Sequence, residues 1–191
     1  MKNIITLLLC STTACMLHAQ TVKTAEQLNL TNKGLYIGTS TSFYVRGGMA
    51  DPTDIVSRSL FDVQYRFANQ FSAGLSFGFD YEKTNSILNY TLTRLSVLPE
   101  FRYWPHKEPQ RLMPYLFINY GFARENQNTL GNLQTNSFGF GAAGAGCTGW
   151  LNRYFGLQLR GDILTFRKDE FSLTAQPFWS MRIGVVFKTN Q

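Results

Sequence analysis

The sequence predicts an all-β chain closed into an eight-stranded antiparallel transmembrane up-and-down β-barrel. Three observations predict it. From Leu35 onward, polarity alternates with period two and helical periodicity is hard to find. The alternation falls into eight segments, an even number, each long enough to cross a bilayer as a tilted strand of about 9–11 residues. The polar face of these segments is built from small residues and opposed charges, which suits a narrow, crowded interior.

In chain order, "MKNIITLLLCSTTACMLHAQ" comes first. Lys2, the apolar run Ile4–Leu9 and the small residue Ala19 form a basic n-region, an h-region and a cleavage site. Residues 1–19 are therefore expected to be a cleaved secretory signal, too short and interrupted to span a membrane as a helix. "TTAC" ending at Cys15 offers a lipid-attachment alternative, but it lacks a leucine three residues before the cysteine. Cleavage after Ala19 leaves Cys147 as the one remaining cysteine, so an internal disulfide is excluded. Residues 20–33 are polar and read as a periplasmic leader, 34–187 as the barrel in the outer membrane, and 188–191 as a C-terminal tail.

Strands are expected at 34–46, 58–68, 71–82, 91–104, 113–124, 136–150, 153–166 and 171–187. "NQ" and "LN" read as tight turns, and "PHKEPQRL" as a longer one stiffened by prolines. "GGMADPTDIVS", "KTNSILNY", "ENQNTLGNLQT" and "RKDE" read as loops at the opposite end. Short turns at one end and mostly longer loops at the other are the layout of an outer-membrane barrel.

The two faces separate cleanly in most segments. In 71–82, Phe71, Ala73, Leu75, Phe77, Phe79 and Tyr81 oppose Ser72, Gly74, Ser76, Gly78, Asp80 and Glu82. In 91–104, Leu95, Val97, Pro99, Phe101 and Tyr103 oppose Arg94, Ser96, Glu100 and Arg102. Phe155, Leu157, Leu159 and Ile163 oppose Gln158, Arg160 and Asp162; Trp179, Met181, Ile183, Val185 and Phe187 oppose Gln176, Ser180, Arg182 and Gly184. "MPYLFINYGF" is apolar on both faces, and Leu116, Ile118, Tyr120 and Phe122 are assigned outward. "FGFGAAGAG" places glycine and alanine on both faces, where they permit curvature and close interior packing. Pro99 implies a bulge or a missing ladder bond in its strand.

A soluble barrel would show the same alternation with the apolar face inside. The polar face argues for the inverse arrangement. Asp62, Asp80, Glu82, Glu100 and Asp162 balance Arg66, Arg94, Arg102, Arg160 and Arg182, as a lumen that must pair its buried charges requires. Aromatics also gather at strand ends. Phe67, Phe71, Tyr103, Trp104, Tyr115, Trp150, Tyr154 and Phe187 lie near the turns, and Tyr44, Tyr81, Tyr90, Phe122, Phe138, Phe166 and Phe171 near the loops. Two such belts match the two membrane–water interfaces. The apolar face is expected to look out, into lipid.

The run "LPEFRYW", "PYLFINYGF", "FGFGAAGAG", "LNRYFGLQLRGD" and "MRIGVVF" resembles the small outer-membrane barrels of the OmpA/OmpX-like class, the "outer membrane protein beta-barrel domain" family. The resemblance covers nearly all of the mature chain. It implies that Phe187 is the C-terminal aromatic read by the barrel-assembly machinery, although "KTNQ" follows it here. No peptidoglycan-binding domain, such as some relatives carry, is expected beyond the barrel.

No catalytic or cofactor site is expected. His18 leaves with the signal, and His106 sits in a proline-flanked turn, away from any nucleophile it could activate. Cys147 alone cannot make a metal site, and Asp51 with Asp54 is too little for calcium. Without Lys2 the chain has 17 basic and 12 acidic residues, a net +5, scattered singly rather than in runs, and together with export this excludes nucleic acid. The expected partners are outer-membrane lipid and the assembly machinery, and no residue points to a surface ligand. The expected role is structural or surface-interactive. The alternatives are a narrow pore, gated by Glu100 with Arg94 or Arg102, and, more remotely, a lipid-modifying enzyme.

Overall fold

Eight strands follow one another and pair in sequence order until the last meets the first. The computed structural model describes residues 33–48, 51–84, 90–108, 110–168 and 173–189. They form β1 (Gly34–Gly48), β2 (Asp51–Ala68), β3 (Phe71–Thr84), β4 (Tyr90–Tyr103), β5 (Leu112–Thr129), β6 (Asn132–Trp150), β7 (Phe155–Lys168) and β8 (Leu173–Lys188). All neighbours are antiparallel, and β1 closes on β8 from Tyr36↔Lys188 to Thr41↔Ile183. The signal and most of the leader, residues 1–32, lie outside the described residues, as do 190 and 191.

The faces follow the alternation. Leu75, Phe77, Leu95, Val97, Phe101, Leu157 and Leu159 are exposed on the outer wall, while Ser72, Ser76, Glu100, Arg102, Gln158 and Arg160 are buried within. Strand β5 follows the same rule. Leu116, Ile118, Tyr120 and Phe122 point out, and Met113, Tyr115, Phe117 and Asn119 point in. In β6 the inward glycines make room for that second set. A Cβ on Gly144 would sit 2.8 Å from the Phe117 ring, and one on Gly146 would run into the ring and hydroxyl of Tyr115.

Two expectations change, and a third is decided between its alternatives. First, the strands outrun the apolar alternation at the end away from the termini. Most of "GGMADPTDIVS" belongs to β1 and β2, leaving residues 49–50 between them, and "ENQNTLGNLQT" shrinks to the turn Leu130–Gly131. Strand pairing continues there with polar residues on both faces, so the period-two signal fades while the ladder does not. Among the described residues β6 pairs with β5 up to Thr129↔Asn132, but with β7 only from Gly139↔Lys168.

Second, of the two outcomes expected at Pro99 the structure shows the missing ladder bond and no bulge. Val97↔Phe122 and Glu100↔Asn119 keep one register, with a break in the β4–β5 ladder between them, while Leu75↔Pro99 stays paired on the β3 side. The proline thus turns its missing N–H toward β5. Gly121 lies opposite, where a Cβ would come 3.0 Å from Pro99 Cδ. In β7 a bulge does occur, at Ile163, between Asp162 and Leu164. It shifts the phase of β7, so Leu164 rather than Ile163 is the exposed residue beyond it.

Third, the aromatics near the strand ends divide between wall and lumen. Phe67, Phe71, Tyr103, Phe122 and Phe187 face out, but Trp104, Tyr115, Trp150 and Phe138 are at most 5% exposed and lie inside. Their parity along the strand puts them there. The side chain of Tyr44, the side chain of Trp179 and residue Phe171 lie outside the description.

Candidate functional site: an ion-paired lumen

Near the termini, an aromatic layer fills the lumen. Tyr36 packs on Trp150 (ring centroids 5.8 Å apart) and Trp104 on Tyr115 (4.9 Å). Trp104 Nε1 donates to Ser72 Oγ at 3.1 Å, so its one polar atom is satisfied indoors. Arg66 lies over the Trp104 ring and donates to the backbone oxygens of Asn69 and His106. The lysine expected in the tail, Lys188, ends β8 with Nζ 5.7 Å from the Tyr36 ring centre.

Above that layer, six charges alternate in a chain across the barrel. Asp62 on β2 accepts from Arg102 on β4 at 2.7 Å. Arg102 also donates to Glu100 at 2.6 Å, and Glu100 accepts both terminal nitrogens of Arg160 on β7 at 2.8 and 3.0 Å. Arg160 approaches Asp162, which in turn pairs with Arg182 on β8. Three carboxylates and three guanidinium groups leave the chain neutral. Glu100 lies at its centre and also accepts from Ser76 at 3.0 Å, Asn119 at 2.9 Å and Gln64 at 3.3 Å. Such saturation is what a buried carboxylate needs to stay charged without a large desolvation cost. The Arg160 guanidinium stacks 3.6 Å above the Phe117 ring.

A second cluster lies toward the loop end. Arg94 pairs with Asp80 at 3.4 Å and donates through Nε to Glu125 at 3.0 Å, and Arg167 reaches the same Glu125 at 3.8 Å. Arg94 lies over Phe140 and Arg167 over Phe138. Arg94 is therefore not a partner of Glu100; the partners of Glu100 are Arg102 and Arg160. Of the ten charges expected inside, Arg66 bonds to backbone oxygens, and Glu82 joins no ion pair among the described residues.

Sequence reasoning passed over Glu125 because it lies in a polar stretch read as loop. Its parity was the available signal: Met113, Tyr115, Phe117, Asn119, Ala123 and Glu125 share one face of β5. Tyr115, expected in the belt near the turns, lies in the lumen because an aromatic suits either face, and Phe117 lies inside as the outward assignment of Leu116 and Ile118 requires.

Between the two clusters lies a cavity of about 20 Å³, bordered by Arg58, Asp80, Asn119, Asp162 and Arg182. That is room for about one water. Arg182 Nε and Asp162 Oδ1, the latter 3.5 Å from Arg160 Nε, are buried there without a hydrogen bond. Around it the described side chains of the two clusters pack against one another.

His106 belongs to the connection between β4 and β5, with Nδ1 3.3 Å from Gln110 Nε2. Cys147 is half-buried, and the described residues contain no group of three or more His, Cys, Asp or Glu that could hold a metal ion. Phe187 is exposed on the outer wall and packs on Phe155 at 5.1 Å.

The same architecture occurs in solved structures. Neisserial surface protein A superposes with a TM-score of 0.59 at 11% identity, over 82% of this chain and 97% of that one. Ail, the attachment invasion locus protein of Yersinia pestis, superposes with a TM-score of 0.52 at 14% identity, over 82% of this chain and 99% of its own. The fold is that of the small eight-stranded outer-membrane barrels. No family model matches the chain, and no curated protein matches it in sequence.

Proposed function

We propose that the chain is a non-enzymatic integral protein of the outer membrane, exported through a cleaved signal over residues 1–19, with a structural and surface-presenting role and a lumen closed by its own side chains. The observation that carries this reading is the inversion of polarity. Phe122 is 57% exposed, Leu95 58% and Ile183 68%, while Arg66, Asp62 and Arg160 are fully buried. In water, such a continuous apolar wall would far exceed the few hundred Å² that a soluble monomer exposes. In a bilayer it meets hydrocarbon, and the closed ladder leaves few backbone groups unpaired.

The termini then lie on the periplasmic side and the extended hairpins outside. Phe187, at the end of the last strand and open to lipid, is placed for reading by the assembly machinery. The neutral chain of ion pairs and the aromatic layer below it speak against a standing pore.

Heat-modifiability tests the reading. Detergent-extracted protein from the outer-membrane fraction is expected to migrate faster on SDS gels unboiled than boiled, because a closed ladder offers SDS no edge. Recovery as a soluble periplasmic protein with no shift would overturn it. In planar bilayers the folded protein is expected to hold the baseline current, and steady single-channel steps would transfer the assignment to a pore.

A further inference from the structure

The turn end of the barrel carries an inference that rests on the outer-membrane reading and names the lipid met there. Between residues 33 and 189 the sequence holds sixteen basic and eleven acidic side chains, histidine apart. Six of the basic ones (Lys33, Arg66, Lys107, Arg111, Arg153 and Lys188) and one acidic, Glu108, flank the turns at the end where the termini lie. In the rest of that stretch ten basic and ten acidic side chains cancel, so the whole surplus of five positive charges belongs to one end. Lys33, Lys107, Arg111 and Arg153 are exposed there. Arg66 and Lys188 are buried behind them, beside Trp104 and Tyr36.

We propose that this basic rim binds an anionic glycerophospholipid of the phosphatidylglycerol kind, in the leaflet at the turn end, in preference to zwitterionic lipid. Positive charge concentrated at membrane level attracts phosphodiester headgroups whose own charge no amine cancels. Apolar side chains at the same level favour a lipid over a soluble polyanion. Leu151 is 51% exposed and shares the turn 151–154 with Arg153, whose guanidinium lies 4.5 Å from the Tyr154 ring centre. Phe71 and Tyr103 are exposed beside the β2–β3 turn and the β4–β5 connection. An arginine beside an exposed leucine and an aromatic is an interfacial anchor: its carbon lies at the acyl boundary and its charge among the headgroups.

The backbone spreads these cations around the rim. Lys33 precedes β1, Lys107 and Arg111 lie in the β4–β5 connection, and Arg153 lies in the β6–β7 turn. Trp150 N donates to Arg111 O at 2.8 Å and Lys188 N to Tyr154 O at 2.7 Å, which ties the connections from β5 to β8 together at one level. A soluble partner docks on one side, whereas an annulus of lipid touches all sides at once.

Phosphatidylcholine vesicles carrying the folded full-length protein and a trace of spin-labelled lipid provide the test, with the protein-bound fraction of label read by electron spin resonance. Labelled phosphatidylglycerol is expected to bind about fivefold more strongly than labelled phosphatidylcholine, the factor that one cation beside an anionic headgroup supplies. The preference is expected to fade in about 1 M salt, where the screening length falls to about 3 Å. K107Q/R111Q/R153Q is expected to lose the preference and keep the heat-dependent gel shift. K83Q/R124Q/K168Q removes the same charge from exposed positions toward the other end and is expected to retain the preference. Equal loss in the two variants would overturn the rim as its source, and so would no loss in the first. A wild-type protein with the gel shift and no preference would overturn the lipid contact and leave the rim to a soluble polyanion. Failure of the protein to enter vesicles and show the shift would instead overturn the membrane reading, and this inference with it.

Discussion

Leu130 sits at φ 53 and Gly131 at φ 86, the two positive values that a two-residue hairpin turn of the tight right-twisting kind requires. Glycine accepts this freely, but a leucine there costs about 1–2 kcal/mol, and its side chain gains no burial in return. Leu130→Asn is therefore expected to raise stability by about 1 kcal/mol, read as a higher urea midpoint for loss of the fast-migrating gel form. An unchanged or lower midpoint would mean that the leucine is held by something outside the isolated chain. Gly146 is the converse case. Tyr115 is 1% exposed and held by the Gln158 amide, so it cannot swing aside for a new methyl group. Gly146→Ala is expected to cost about 1–3 kcal/mol, and Tyr115→Leu in the same chain to recover part of it. Additive losses would show that the contact is not the cause. These positions also mark what a sequence makes legible at this scale. Paired Arg and Asp on one parity announce a lumen, whereas Trp104, Tyr115 and Trp150 are aromatics that serve a membrane belt and a plug equally well. Only their parity, which puts them on the same side as Ser72, Glu100 and Arg160, separates the two.

Along each strand, alternation was legible wherever one face meets hydrocarbon and the other meets charge. It failed in two places for physical reasons. Above the apolar band both faces of β5 and β6 are polar, so the hairpin looks like loop although it is fully paired from Asn126↔Thr135 to Thr129↔Asn132. At Ile163 the bulge hides inside an apolar pair, because "IL" reads the same in either phase. That phase shift has an optical signature. Leu164→Trp is expected to be quenched strongly by brominated lipid and Ile163→Trp weakly, since Leu164 is exposed and Ile163 half-buried. Stronger quenching at residue 163 would place the bulge elsewhere. Pro99 shows the opposite economy: a residue that forbids a ladder bond is tolerated because Gly121 gives its ring space, and the register passes through unchanged.

At the scale of the whole barrel, Glu100 joins β4 to β7 directly and to β2 through Arg102, while Asp162 carries the chain on to β8. Removing it strands two buried guanidinium groups. Glu100→Ala is expected to lower stability by about 3–5 kcal/mol, seen as an earlier urea midpoint, with Glu100→Gln losing less because an amide keeps some of the acceptor bonds. Equal midpoints for wild type and Glu100→Ala would mean that the carboxylate is not a stabilising hub. The ring has one further asymmetry. β5 and β6 are registered along their full length, from Leu112↔Gly149 to Thr129↔Asn132, whereas β1 and β8 share only the stretch from Tyr36↔Lys188 to Thr41↔Ile183. This clasp joins the first strand to emerge during synthesis to the last. Until β8 meets β1, the sheet is an open ribbon with two bare margins, which hydrocarbon does not tolerate. Closure at this joint, the shortest of the eight ladders among the described residues, is what makes the sheet fit for lipid.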